Sequence, residues 1–164
     1  MNARRLVLAV LCTMTGALVV SAAPALAATG NAYRSQSNGS ETAAGGFSGP
    51  SGLAVNASGD VYVNDEGDEV IDEFGPSGTG TPLMEITPSE IPNGRFAGAA
   101  AIAVNGSGDL FTTSHNNLVY EFNAAGKYVY EFSGAETKGG YFSDVGIAVD
   151  MSSGDVYVSD AYHK

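Results

Sequence analysis

Histidine and carboxylate side chains are the residues of this chain best suited to metal binding or proton transfer. His115 lies in Ser114-His115-Asn116-Asn117, and His163 ends the segment Asp160-Ala161-Tyr162-His163. Imidazole nitrogen is a common zinc ligand, but a zinc site takes three or four protein ligands, and no third ligand accompanies these histidines in the sequence. We therefore predict no catalytic residue, no metal site and no cofactor.

The densest group of carboxylates is the segment Asp65-Glu66-Gly67-Asp68-Glu69. Oxygen ligands of this kind suit Ca²⁺, but the segment lacks the ligand spacing of a known calcium loop. Short runs of like charge are usually solvated. The pattern favours an exposed acidic turn.

The loops that carry these residues directly follow the copies of a nineteen-residue pattern that occurs three times. The copies read FSGPSGLAVNASGDVYVND from Phe47, FAGAAAIAVNGSGDLFTTS from Phe96 and FSDVGIAVDMSSGDVYVSD from Phe142. They begin 49 and then 46 residues apart, and each has a Gly-Asp pair at the same place. A period of this length, built from short strands and tight turns, is typical of a β-propeller.

Each repeat predicts four short antiparallel strands, which make one propeller blade. The first strand carries an apolar triplet with Ala in the middle, such as Leu53-Ala54-Val55, and Ala suits the narrow space near a propeller axis. Asn or Asp with Gly then predicts a tight turn into the second strand. The fold class is all-β, a propeller of four-stranded antiparallel blades.

The run of apolar-Ala-Val-Asn/Asp, Gly-Asp, Val-Tyr-Val, Asp and Val-Ile-x-x-Phe resembles the NHL repeat over residues 45–164. The resemblance is to the exported bacterial type of this propeller family, and it implies a ring that commonly has six blades. The predicted boundaries are 47–95 for blade 1, 96–141 for blade 2 and 142–164 for a truncated blade 3.

The predicted blades number about two and a half, an incomplete ring, because Lys164 falls in the loop after the second strand of blade 3. Propellers usually close with about four to eight blades. We expect the chain to be the front piece of a longer protein. The alternative is the assembly of several chains into one ring.

The first 27 residues are typical of a signal peptide. Arg4 and Arg5 precede an apolar run over 6–20, and Ala25-Leu26-Ala27 is a small-residue cleavage site. Export to the cell envelope or the medium is therefore predicted, with residues 28–46 as a flexible linker. The alternative is an uncleaved membrane anchor, which the short apolar run disfavours.

The charge balance excludes several partners. The whole chain has a net charge of −11, and removal of the signal leaves five basic residues against eighteen acidic ones. Nucleic acid and anionic lipid both attract basic proteins, so we predict no nucleic-acid partner and no membrane contact after signal cleavage.

The predicted function is a recognition scaffold that binds a protein, a peptide or a polysaccharide through its loop face. Loops between second and third strands gather on one face of a propeller, and loops on a rigid scaffold commonly carry function. The candidate residues are Glu66, Asp68, His115, Asn116, Asn117, Tyr162 and His163.

Two alternatives stay open. One is a metal-dependent lyase or lactonase-like enzyme, which similar propellers support and whose ligands would come mostly from other blades. The other is a cell-envelope scaffold or the outer domain of a sensor.

Overall fold

The computed structural model describes residues 9–10, 33, 35–94, 99–142 and 146–161. The predicted signal-peptide cleavage site, Tyr162 and His163 lie outside the described residues. The described parts contain twelve strands and one 3₁₀ helix at Pro88–Glu90. The strands are β1 (Ala9–Val10), β2 (Gln36–Ser37), β3 (Pro50–Val55), β4 (Val61–Asp65), β5 (Val70–Phe74), β6 (Met84–Ile86), β7 (Ala99–Val104), β8 (Leu110–Ser114), β9 (Val119–Phe122), β10 (Tyr128–Phe132), β11 (Gly146–Val149) and β12 (Val156–Ser159).

The strands form successive antiparallel blades. Blade 1 has the order β3-β4-β5-β6, blade 2 has the order β7-β8-β9-β10, and β11 pairs with β12 in blade 3. This confirms the predicted all-β propeller with four-stranded antiparallel blades. The separate two-residue strands β1 and β2 pair in parallel. No helix in the described parts of the chain is long and apolar enough to cross a membrane.

The turn between the first and second strand of a blade is fixed by its Asn. In blade 1 the Asn56 Oδ1 accepts hydrogen bonds from the backbone N–H groups of Ser58 and Asp60, both at 2.9 Å. The Asn56 Nδ2 donates to the Asp60 carboxylate at 2.9 Å. Asn105 repeats all three bonds in blade 2. These bonds confirm the tight Asn-Gly-Asp turns that the repeat predicts.

Every blade has two faces, because side chains alternate along a strand. We call the face that carries the large residues of the apolar triplet the leading face, and the face that carries the Ala the trailing face. The trailing face of blade 1 and the leading face of blade 2 form one buried core. That core includes Tyr62, Ile71, Ile86, Ile102, Val104, Leu110, Tyr120 and Phe122.

The contact between blades 2 and 3 repeats this arrangement. Phe111 and Val119 on the trailing face of blade 2 pack in one cluster with Ile147 and Val149 of β11. Phe142, the aromatic residue that opens the third repeat, lies edge-on to Phe132 with ring centroids 6.0 Å apart. In both contacts, the trailing face of one blade packs against the leading face of the next blade.

The inner strands come close together between the blades. Ala54 packs against the core between blades 1 and 2. A Cβ at Gly52 would lie 3.0 Å from the Ile102 Cγ2, a tighter contact than most Cβ atoms make, so a larger residue would press on Ile102. Small residues at these positions allow the inner strands to approach, as the Ala of the triplet predicts.

Residues 38–46, which the sequence predicts as part of a linker, form successive hydrogen-bonded turns that end at Phe47. The N–H of Thr42 donates to the Gly39 carbonyl at 2.9 Å, and the N–H of Phe47 donates to the Asn38 carbonyl at 2.9 Å. The Phe47 ring lies edge-on to Phe74, 6.0 Å between centroids. This segment therefore packs against the leading face of blade 1.

Candidate functional site

The loop after the second strand of blade 1 is anchored by a buried carboxylate. The Asp65 oxygens accept hydrogen bonds from the backbone N–H groups of Ser48 and Gly49, both at 2.8 Å. The N–H of Glu66 donates to the Gly49 carbonyl at 3.1 Å. Asp65 thus ties the start of its own repeat to the loop, and its oxygens face the backbone rather than a ligand.

The acidic loop 66–69 is held tightly at its base. A Cβ at Gly67 would lie 2.5 Å from the Ser48 Oγ, so only glycine fits beside this segment. Glu69 has a φ of 56°, in the left-handed region. The loop therefore presents Glu66, Asp68 and Glu69 from a fixed backbone. Partial desolvation raises the pKa of Asp68, and the charge of Asp65 adds to the shift.

The corresponding loop of blade 2 has a different internal network. Ser114 stands where blade 1 has Asp65, and its Oγ donates to the Leu118 carbonyl at 3.1 Å and contacts the Asn116 Oδ1. The Asn116 Nδ2 donates to the Tyr120 hydroxyl at 2.9 Å. Asn117 closes the turn with a φ of 63°. The three polar residues 115–117 are exposed on this loop.

One contact joins the two loops. The His115 Nε2 lies 2.9 Å from the Glu66 Oε1, across the junction of blades 1 and 2. Both side chains are largely open to solvent, so the pair contributes little to stability. It brings the two predicted loops together into one polar surface, which we call the loop face: Glu66, Asp68, His115, Asn116 and Asn117.

The described residues contain no group of three or more His, Cys, Asp or Glu side chains with the spacing to hold a metal ion. Asp68 and the Glu66–His115 pair share the loop face without forming such a group.

A further acidic residue, Asp72, was not singled out by the sequence. It lies on the leading face of blade 1, where Val63 and Glu85 flank it on the adjacent strands. Its side chain is buried, and among the described residues neither carboxylate oxygen has a hydrogen-bond partner. Desolvation raises the pKa of Asp72 to about 7, and the nearby charges of Glu85, Asp65 and Asp68 add to the shift. In the sequence, Asp72 occupies the inward-facing position of the third strand at which the next repeat has Tyr120.

A second polar network lies at the end of blade 1 opposite the loop face. The Tyr62 hydroxyl donates to the Glu73 Oε1 at 2.8 Å, and the Asn56 Nδ2 donates to the same hydroxyl at 3.3 Å. Burial raises the pKa of Tyr62, and the Glu73 carboxylate adds to the shift. In blade 2 the equivalent residue is Phe111, which has no hydroxyl.

Glu121 occupies the position of Glu73 in blade 2, opposite Phe111. Burial raises its pKa, and the charge of Asp109 adds to the shift. Both faces of the propeller therefore carry carboxylates, but the network around Tyr62 and Glu73 is partly buried, whereas His115, Asn116 and Asn117 of the loop face are exposed.

A cleft of about 500 Å³ lies where blade 2 meets blade 3. Its apolar lining includes Leu118, Tyr130, Phe132, Phe142, Val156 and Val158. Two residues of β12, Val156 and Val158, belong to this lining.

Comparison with known proteins supports the architecture. No family model and no curated protein matches the chain. A solved structure described as the crystal structure of RRP9 WD40 repeats is similar, with a TM-score of 0.55 and 18% identity. The match covers 68% of this chain and 32% of that one, so the chain spans about a third of the length of its structural neighbour. At this identity the likeness shows a propeller repeat fold and nothing finer.

Proposed function

We propose that this chain is an exported NHL-type propeller that binds a protein, a peptide or a polysaccharide at its loop face. The observation that carries the proposal is the Glu66–His115 contact, which makes one polar surface from the loops of two blades. A ligand that spans two loops gains specificity from both, and the rigid blades hold those loops in place.

The chemistry of the loop face favours ligands with many hydrogen-bond donors. The Glu66 and Asp68 carboxylates accept hydrogen bonds, while the Asn117 amide can both donate and accept them. Sugar hydroxyls and the ammonium groups of a lysine-rich peptide are matching donors. The strongly negative net charge also draws a basic peptide toward the surface.

The assignment to the NHL type rests on the order of motifs along each repeat. The apolar-Ala-Val triplet lies in the first strand and the Gly-Asp pair in the first turn, and the second strand carries Val-Tyr-Val in blades 1 and 3 and Leu-Phe-Thr in blade 2. The proposal of export rests on Arg4, Arg5, the apolar run over 6–20 and the small residues at 25–27.

Export predicts a defined N-terminus. Expression of the chain with secretion should give a product that begins at Ala28, because cleavage follows the small residue Ala27. Mass spectrometry of the secreted protein measures this directly. Exported protein that retains Met1 would contradict the signal-peptide assignment and favour an uncleaved anchor.

Ligand binding predicts that substitutions on the loop face act together. The chain is first screened against an array of polysaccharides and Lys-rich peptides. Glu66→Ala and His115→Ala should each weaken binding of a hit about 5- to 30-fold, the loss of one or two hydrogen bonds to charged groups. Isothermal titration calorimetry measures the change in Kd.

A matched substitution at the end of blade 1 opposite the loop face serves as the control. Ser58→Ala lies in the turn after β3, at the other end of the blade, and its side chain is exposed. It should leave the Kd unchanged. Equal losses for Ser58→Ala and Glu66→Ala would show that the loop face is not the binding surface.

A further inference from the structure

The segment 38–47, which we call the strap, packs on the leading face of blade 1. The Phe47 ring contacts the buried apolar side chains of β4 and the ring of Phe74 on β5. Residues 41–43 line a cleft together with residues 81–85, at the outer edge of the blade. The strap therefore touches the second, third and fourth strands of the blade.

The exposure of the leading face shows how far this cover extends. On the first strand, Leu53 is 46% exposed and Val55 is 54% exposed. On the second strand, Val61 and Val63 are at most 2% exposed. The covered part of the face coincides with the part that the strap touches.

The strap is fixed at both ends and lightly held between them. Before it, the Ser35 hydroxyl donates to the Ser77 carbonyl at 3.2 Å, and after it the N–H of Gly49 donates to the Asp65 carboxylate at 2.8 Å. Between these ends, the hydrogen bonds described for the strap stay within residues 37–47. A segment with its own turns and few bonds to its support can detach locally while the sheet stays intact.

Asp72 lies on the same face, between the two places that the strap touches. On one side it is flanked by Val63, which belongs to the cluster that Phe47 contacts, and on the other by Glu85, which lines the cleft with the strap. The side chain is 1% exposed, and among the described residues its oxygens have no hydrogen-bond partner. Ionisation of a carboxyl in such a place favours any state in which water reaches it.

The charges around Asp72 strengthen this effect. Burial is the main cause of the raised pKa of Asp72, and the charges of Glu85 on β6, Asp65 on β4 and Asp68 in the next loop raise that pKa further. Glu41 of the strap lines the cleft beside Glu85. Every charge that acts on Asp72 from the described residues is therefore negative, and ionisation adds one more.

We infer that the strap is a pH-controlled cover, which closes over blade 1 while Asp72 is protonated and lifts away once Asp72 is ionised. Lifting admits water to the carboxylate and exposes Phe74 and the apolar side chains of β4. The sheet keeps its pairing, because no strand pair of blade 1 includes a strap residue. The switch is independent of the proposed ligand binding.

The size of the effect follows from the two pKa values of Asp72. The pKa is about 7 when the strap is closed, and it returns toward the ordinary value of 3.8 when water reaches the carboxyl. The equilibrium constant for opening should therefore rise about 90-fold between pH 5 and pH 8. A strap that is open about 1% of the time at pH 5 would be open about half of the time at pH 8.

Hydrogen–deuterium exchange of the 164-residue chain, followed by mass spectrometry, tests the switch. After correction for the intrinsic pH dependence of exchange, the amides of residues 38–47 should exchange roughly 50- to 90-fold faster at pH 8 than at pH 5. The amides of β8 and β9 should stay protected at pH 8 on the same timescale. Equal rates in the strap and in β9 would show that the whole protein opens, and would overturn the inference.

Three variants assign the response to its cause. Asp72→Asn carries no charge, so strap exchange should no longer depend on pH. Phe47→Ala removes the contact with Phe74, so its strap should exchange fast already at pH 5, which marks the open state. Glu136→Gln removes a charge from an exposed turn of blade 2 and should keep the wild-type response.

Glu85→Gln gives a second test if Asp72→Asn does not fold. Loss of the neighbouring charge lowers the pKa of Asp72, so opening should begin at lower pH and rise by a smaller factor. Strap exchange that is the same at pH 5 and pH 8 in the wild type would show that Asp72 meets a donor or a cation in the closed state. A pH response that persists in Asp72→Asn, or is unchanged in Glu85→Gln, would assign the switch to another group. Either result overturns the inference.

Discussion

Phe122→Ala should lower the free energy of unfolding by about 3–5 kcal/mol, the usual cost of removing a buried phenylalanine side chain. Phe122 is fully buried between blades 1 and 2, opposite Leu110 on the adjacent strand. Its ring also lies edge-on to Tyr128, with centroids 6.4 Å apart. Truncation to Ala would leave a cavity between two rigid sheets that cannot easily move together.

Urea denaturation followed by circular dichroism measures this loss. Tyr141→Ala is the control, because Tyr141 is 67% exposed and its removal should change stability by less than about 0.5 kcal/mol. Phe122→Leu refills part of the cavity and should recover roughly half of the loss. A loss below about 1 kcal/mol for Phe122→Ala would show that blades 1 and 2 do not share a packed core.

Local signals in the sequence were sufficient to predict the blades. Strand β5 runs from Val70 to Phe74 as its apolar pattern predicts, and the Asn56 turn follows from the ability of Asn to bond its own backbone. The fourth strand was less well defined. The sequence predicts residues 82–87, whereas β6 covers only Met84–Ile86, because Pro82 and the residues beside it offer weak strand signals.

The contacts of the candidate site depend on how the blades pack, and the sequence does not contain that information. The Glu66–His115 pair forms because one blade is rotated against the next, which places two loops 49 residues apart side by side. The turns of residues 38–47 were not predicted either, because they too depend on tertiary packing. Their polar composition is typical of a linker, but Phe47 packs on Phe74 and draws the segment onto blade 1.

Asp72 shows what alternation can and cannot predict. Alternation along β5 places it on the same face as Phe74, although the sequence analysis above predicts no role for it. Whether that carboxylate finds a hydrogen-bond donor depends on the neighbouring strands. Here the Val63 side chain offers none and Glu85 is itself acidic, so both oxygens of Asp72 remain without a donor in the part of the chain that the structure describes.

The buried carboxyl of Asp72 should make the protein less stable as the pH rises. Its pKa in the folded state is about 7, above the ordinary value of 3.8. The folded state therefore holds a proton that the unfolded state has already lost between pH 4 and pH 7. The stability that this proton provides is fully present below pH 4, falls by about 1.4 kcal/mol per pH unit across the window and is lost above pH 7.

Asp72→Asn should remove this dependence, because the amide carries no charge at any of these pH values. The difference in unfolding free energy, variant minus wild type, should rise by about 3–4 kcal/mol between pH 4 and pH 8. Urea denaturation at fixed protein concentration and at unit steps of pH gives that difference. Glu136→Gln removes one negative charge from an exposed turn and should keep the wild-type slope. Parallel curves for Asp72→Asn and wild type would show that Asp72 is ionised in the folded protein, with a donor or cation beside it.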